Sequence, residues 1–248
     1  MKKLAIQCKK LSKVYGNNRV LDGINLNIAA GDFFALVGIN GSGKSTLIKA
    51  ILDLISIDSG SIALSGISHR NVRARDQVAY LPDRFSPPVY LKCIDFIHYM
   101  LELHANKLSS DIIVEMLDAL ELDRKTMDLP VGRLSKGMTQ KLGITSCLLS
   151  GKSLLILDEP MSGLDPKARV LFKQQLCRQK QRDVTMFFSS HVLADVDELA
   201  DQMAVLHQSN ILYQGTPTAF KQAYEGGNLE EAYINCIDSC GQSVTQCR

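Results

Sequence analysis

No run of apolar residues in this sequence approaches the roughly 18 to 20 needed to cross a bilayer, so no segment reads as a membrane span. Charge of one sign is scarce too. Lys+Arg 28 minus Asp+Glu 26 leaves +2, too weak a field to advertise a nucleic-acid partner. The basic residues near the start (Lys2, Lys3, Lys9, Lys10, Lys13) read as a solvated face rather than a binding patch. There is no low-complexity tract and no self-similarity at the roughly 20 to 50 residue periods of solenoids. Met1–Ile6 is basic and then apolar, but Gln7, Cys8, Lys9 and Lys10 break the run, so no signal peptide is expected. The expectation is a cytoplasmic protein that reaches a membrane only through a partner.

What is present is ordinary globular material. The 248 residues are 46% hydrophobic and 22% charged, which excludes disorder, collagen-like repeats and a disulfide scaffold. The length suffices for one large domain or two small ones. Seven cysteines at this length suggest a reducing compartment. Cys8, Cys93, Cys147 and Cys177 read as small hydrophobes. In the tail, Cys236 and Cys240 would share a helix face, with Cys247 beyond. No His or fourth Cys completes a zinc-like set there, so a metal or redox role is the weaker reading.

Strand-like and helix-like segments alternate, which predicts an α/β architecture. Phe33–Val37, Leu154–Leu157 and Val184–Phe188 are short continuous apolar runs of the kind buried on both faces of a sheet. Met203–Leu206 and Ile211–Tyr213 flank Gln208-Ser209-Asn210 and predict a hairpin. Between Pro87 and Ser150 the pattern turns helical. Phe96, Ile97, Met100 and Leu101 make one stripe; Ile112, Ile113, Met116, Leu117 and Leu120 make another, capped by Ser109 or Ser110. Both stripes are assigned to packing, with Pro87-Pro88 and Leu129–Gly132 as junctions of an inserted helical subdomain.

Gly38-Ile39-Asn40-Gly41-Ser42-Gly43-Lys44-Ser45-Thr46 fits G-x-x-x-x-G-K-[ST], between a buried strand and a helix opened by Leu47, Ile48, Ala50, Ile51 and Leu52. Its glycines let successive N–H groups curl inward at a helix N-terminus, a concave anion site. Lys44 can reach terminal phosphates, and the Ser45 hydroxyl can ligate Mg²⁺. The Leu154–Leu157 run ends in Asp158-Glu159, at the strand end where ligands bind in such folds. Asp158 would face Mg²⁺, and Glu159 could polarise the water attacking a γ-phosphate.

Together with these, five further segments resemble the nucleotide-binding subunit of an ABC transporter, over nearly the whole chain. Leu134-Ser135-Lys136-Gly137-Met138 resembles the family signature. Asp158-Glu159-Pro160 running into Ser162-Gly163-Leu164-Asp165 resembles the second carboxylate motif and D-loop. Ser190-His191 resembles the switch histidine, and Tyr15-Gly16 before Val20-Leu21 the aromatic loop that stacks on adenine. Tyr80-Leu81-Pro82-Asp83 stands in the place of the Q-loop. Taken alone, Ser135 and Asp165-Pro166 read as helix caps, Tyr15 as a core aromatic and His191 as a structural histidine. The chain departs from the family pattern where Lys136 and Met138 replace a Gly and the Gln of the signature, and where Asp83 replaces the Q-loop Gln.

The resemblance implies a phosphate-loop core with an N-terminal antiparallel β subdomain and an inserted α-helical subdomain. It implies an ATPase domain over 1–225, with the helical subdomain at about 87–150 and a short tail over 226–248. ATP would lie against Tyr15, Val20, Gly38, Asn40, Gly41, Ser42, Gly43, Lys44, Ser45 and Thr46, with Ser135, Gly137 and Asp165 meeting the nucleotide across a dimer. Mg²⁺ would take Ser45, Asp83 and Asp158; Glu159, His191 and Lys44 would act in hydrolysis. The expected partners are a second ATPase subunit, identical or homologous, and a separate integral membrane permease that holds this chain at the inner face of the cell membrane. The segment ending in Asn228–Ile234 resembles export-type ATPases. Two other readings carry less: a soluble ABC ATPase acting on nucleic acid or ribosomes, which would usually show two cassettes or a long coiled coil, and a weakly hydrolysing regulatory switch.

Overall fold

The computed structural model describes residues 2–245, with side chains through Ser239. In chain order the elements are β1 (Leu4–Tyr15), β2 (Asn18–Ala29), β3 (Phe33–Val37), α1 (Lys44–Ile51), β4 (Ser59–Leu64), β5 (Ile67–Ser68), β6 (Val78–Leu81), α2 (Cys93–Leu103), α3 (Ser110–Ala119), α4 (Lys136–Leu148), β7 (Leu154–Leu157), α5 (Pro166–Lys180), β8 (Thr185–Ser190), α6 (Leu193–Leu199), β9 (Gln202–His207), β10 (Asn210–Gly215), α7 (Pro217–Ala223) and α8 (Leu229–Thr245). Short 3₁₀ turns fill some of the connections. This is the mixed α/β architecture expected from the sequence, with its N-terminal antiparallel sheet and its helical insertion. The chain forms two compact units, one running to Arg75 and resuming at Phe187, the other Asp76–Met186.

In the first unit, β2, β1, β4 and β5 form an antiparallel sheet. Its alternation buries Ile6, Cys8, Leu11, Leu21, Ile24, Leu26 and Ile28 on one side. The same alternation buries Lys13, which is only 7% exposed; the expectation of a solvated basic face fails there, while Lys2, Lys3, Lys9 and Lys10 are exposed. A second set of strands runs in the order β10-β9-β3-β8. Every residue of β3 and β8 is buried; β3 is apolar throughout, whereas β8 buries Thr185, Ser189 and Ser190 around its apolar Met186–Phe188 centre. The second run starts at Thr185, one residue later than expected. β9 and β10 make the expected hairpin around Gln208 and Ser209, whose φ values of 42° and 68° suit a two-residue turn. α8 buries Leu229, Ala232 and Cys236 at helical spacing. The side chain of Cys240 and all of Cys247 lie outside the described residues.

In the second unit β6 and β7 pair in parallel, Tyr80 opposite Ile156 and Leu81 opposite Leu157. Helices α2, α3 and α4 pack around Phe96, Ile97, Leu101, Ile113, Leu117 and Leu142. The two expected junctions meet, because the Val131 and Gly132 amides donate to the Leu91 and Val89 carbonyls at 2.8 and 3.0 Å. Two packing expectations fail. Ile112 is 44% exposed because it lies at the edge of the α3 stripe, and Cys177 lies on the exposed side of α5. Ser109 occupies the N-cap of α3 without a side-chain capping bond.

Candidate functional site

Buried β3 delivers the chain to Gly38. A Cβ there would stand 2.5 Å from the Leu206 carbonyl oxygen and 2.5 Å from Ser42 Oγ, so only glycine lets the strand end lie this close to β9. Gly43 caps α1 with φ 105°, and a Cβ on it would meet the Val20 carbonyl at 3.0 Å. The loop is therefore fixed by backbone that side chains would block. Asn40 and Gly41 are exposed, while Ser45 and Thr46 are half-buried in the first turn of α1, which carries no acidic residue. The Lys44 ammonium, on a residue 6% exposed, donates to the carbonyls of Gly38 at 2.7 Å and Ile39 at 3.3 Å. Ser42 Oγ is buried without a hydrogen-bond partner. An orphan hydroxyl, a lysine at the loop and a helix start free of carboxylates suit an anion with several oxygens.

Beside the loop lies a cavity of about 310 Å³ lined by Arg19, Val20, Asn40, Ser42 and His207. His207, absent from the sequence expectations, has a buried Nδ1 with no partner. Nothing in the sequence marks it, since it is the last residue of an ordinary strand. Tyr15 ends β1, paired with Asn18, and is 48% exposed, which overturns the core-aromatic reading. His191 follows buried β8 and is exposed; the turn it enters is held by the Val192 amide donating to Ser190 Oγ at 3.0 Å.

In the second unit, Asp158 follows β7, is 2% exposed, and donates its amide to the Leu81 carbonyl at 2.8 Å. Burial pushes the Tyr80 phenol up to about 12, with the carboxylates of Asp158 and Asp83 adding to the shift. Those two carboxylates thus flank the ends of the paired strands β6 and β7. Among the described residues no three His, Cys, Asp or Glu side chains gather to hold a metal by themselves. A divalent cation here would need hydroxyl, water or phosphate oxygens to complete its shell, as Mg²⁺ sites on nucleotides do. Glu159 is half-buried at φ 49°, a left-handed conformation that costs a non-glycine residue energy and is over-represented at functional positions.

Ser135 is exposed and caps α4, its Oγ accepting from the Met138 amide at 3.3 Å. The capping role holds, and the side chain does not face the interior. Gly137 sits one turn in, its Cβ position 3.1 Å from the Gly163 carbonyl, and the Lys136 stem lies over Gly163. Gln140, 6% exposed, donates to the Pro160 carbonyl at 3.0 Å and so ties the signature helix to the segment just after Glu159. That residue also escaped sequence reasoning, because its partner is a main-chain atom 20 positions away. Asp165 caps α5, accepting from the Ala168 amide at 2.9 Å, and Pro166 fills the first turn. That hydrogen bond first, and then Lys141, hold its carboxyl below the usual carboxylate range.

Comparison with known proteins agrees with this geometry. Residues 21–162 match the family described as ABC transporter. A lantibiotic transport ATP-binding protein of Streptococcus pyogenes is 32% identical over 238 residues, covering 94% of this chain and 97% of that protein. A bacitracin transport ATP-binding protein of Bacillus licheniformis is 32% identical over 213 residues, covering 84% of this chain and 68% of that one. A solved structure described as the ATP-binding subunit of an ABC transporter superposes with a TM-score of 0.85 at 27% identity, over 94% of this chain and 99% of that one. No helix among the described residues is long and apolar enough to cross a membrane. The chain belongs to the ABC transporter family, as an ATP-binding subunit that hydrolyses ATP.

Proposed function

We propose that two copies of this chain, or this chain and a homologue, close around ATP and drive a separate membrane permease of the export type. The observation that carries this reading is the exposed cap of α4: Ser135 and the amide of Gly137 stand at a helix N-terminus that the chain's own core does not cover. A positive helix end facing outward suits the γ-phosphate of a nucleotide held by another copy. Asp165 would lie across the same interface. Transport is supported by the names of the relatives, and export by the resemblance of the segment ending in Asn228–Ile234 to export-type ATPases.

Within each copy, Tyr15 and Val20 would receive the base, and the amides from Gly41 to Thr46 the phosphates. Lys44 would exchange the Gly38 and Ile39 carbonyls for phosphate oxygens, a stronger charge-assisted pairing. Ser45, Asp158 and Asp83 would hold Mg²⁺, which when bound would neutralise charge on the leaving phosphates. Glu159 would accept a proton from the attacking water, and His191 would hydrogen-bond the γ-phosphate. The helical segment at about 87–150, entered past Asp83, would dock the permease.

The test is Glu159→Gln. Loss of the basic carboxylate should lower ATP turnover on the order of 100- to 10,000-fold while leaving binding intact. Size-exclusion chromatography with Mg-ATP should then show a trapped dimer. A variant that turns over normally removes Glu159 from its role, and one that binds ATP but stays monomeric removes the sandwich. Co-purification with a multi-span membrane protein tests the permease.

A further inference from the structure

The first unit holds a lysine the proposed chemistry does not use. Lys13 lies on β1 two residues before Tyr15, and a register shift of the strand falls just after Lys13. Its ammonium stands over the Tyr15 ring, 5.0 Å from the centroid. Lysines on strands of this kind usually reach water, yet this residue is 7% exposed. The ammonium has two further partners. It donates to Ser56 Oγ at 3.4 Å and lies 3.8 Å from Asp58 Oδ2. The same Asp58 oxygen accepts the Val14 amide at 2.7 Å, and the Asp58 amide donates to the Ser12 carbonyl at 3.0 Å. Carboxylate, cation and ring are therefore linked, and the carboxylate is anchored to the backbone on both sides of Lys13. The tyrosine itself is 48% exposed.

From this arrangement we propose that Lys13 is the positioning residue of the base subsite: it fixes the Tyr15 ring from one face so that the other is presented to the purine of ATP. The inference rests on the reading of Tyr15 as the base platform. Two physical effects act together. A buried cation against the ring restricts the rotamers of an otherwise exposed side chain, so less freedom is lost when a base stacks. The cation also draws π-density toward its own face, which leaves the far face less electron-rich and a better partner for a purine. Lys13 touches neither the phosphates nor the base; it acts through Tyr15.

The experiment compares two ligands, ATP and inorganic tripolyphosphate, each with Mg²⁺, by calorimetric titration of the full chain. Tripolyphosphate offers the loop its anion without a base. Lys13→Met should weaken ATP binding by about three- to tenfold, the range of a cation–π contact between exposed and desolvated settings, and leave tripolyphosphate unchanged. Lys13→Arg should restore ATP binding. In a Tyr15→Ala background Lys13→Met should have no further effect. If Tyr15→Ala does not weaken ATP, the base platform and this inference fall together. If Tyr15→Ala weakens ATP and Lys13→Met does not, the inference falls alone. Equal weakening of both ligands by Lys13→Met assigns Lys13 a structural role and overturns it too. Should Lys13→Met not fold, Asp58→Asn loosens the same cation, with the same selective loss of ATP expected and an equal loss of both ligands overturning the inference.

Discussion

The phosphate loop and the signature turn both end in a helix N-terminus, yet they are built in opposite ways. The loop is made by exclusion: side chains at Gly38 or Gly43 would collide with the Leu206 and Val20 carbonyls, and a buried lysine closes it. The signature turn is made by ordinary capping, a serine accepting one amide, and is held from behind by the Gln140 bond to Pro160. The first is a complete anion cradle within one chain. The second is one exposed helix end, which under the proposed function would meet a ligand held by another copy.

The contrast can be broken most severely at the loop. Lys44→Ala removes the charge-assisted pairing with phosphate, worth about 1.5–3 kcal/mol, and should weaken ATP binding by roughly 10- to 100-fold. Titration calorimetry would measure it, and undiminished binding would mean the loop is misread. A smaller effect is expected behind the signature. At Gly143 a Cβ would meet Leu81 Cδ1 at 2.7 Å and the Phe85 ring at 2.8 Å, so those two side chains pack directly on the α4 backbone and an added methyl would force them to shift. Gly143→Ala should cost about 1–3 kcal/mol of stability, seen as a lower denaturant midpoint, with phosphate binding at the loop retained. Equal loss of loop binding would show the two regions are not built independently.

The smallest effect belongs to the cap of α5. Asp165 has its carboxyl lowered in the fold by the Ala168 amide. A lowered group stabilises the fold above the unfolded carboxylate range, and that contribution fades as pH falls through the lowered value. Asp165→Ala should therefore reduce the denaturant midpoint slightly near neutral pH, and wild type and variant should converge in acid. A gap that persists in acid would assign the loss to packing instead.

Much of the loop was legible because its requirement is local: glycines at fixed spacing, then Lys and a hydroxyl, between an apolar run and a helix. The strands β3 and β7 were legible for the same reason, since their full burial writes itself as unbroken apolar sequence, while β8 showed only its apolar Met186–Phe188 centre and not its buried serines. The helical stripe of α3 was read one residue too wide at Ile112, because periodicity gives a face but not its edges. Lys13 was misread because charge alone predicts exposure, whereas its position in the β1 alternation and the carboxylate of Asp58 retain it inside. Gln140 and His207 carried no signal at all; one answers to a distant carbonyl and the other to a cavity.

The sequence by itself determined the α/β fold, the phosphate loop, the paired carboxylates and the family, because each depends on residues adjacent in the chain. Tertiary structure alone decided that Lys13 sits under Tyr15, that Glu159 is held at φ 49° and that Ser135 faces outward. Those outcomes depend on which segments, distant in the chain, pack beside each residue, and that is not written in local spacing.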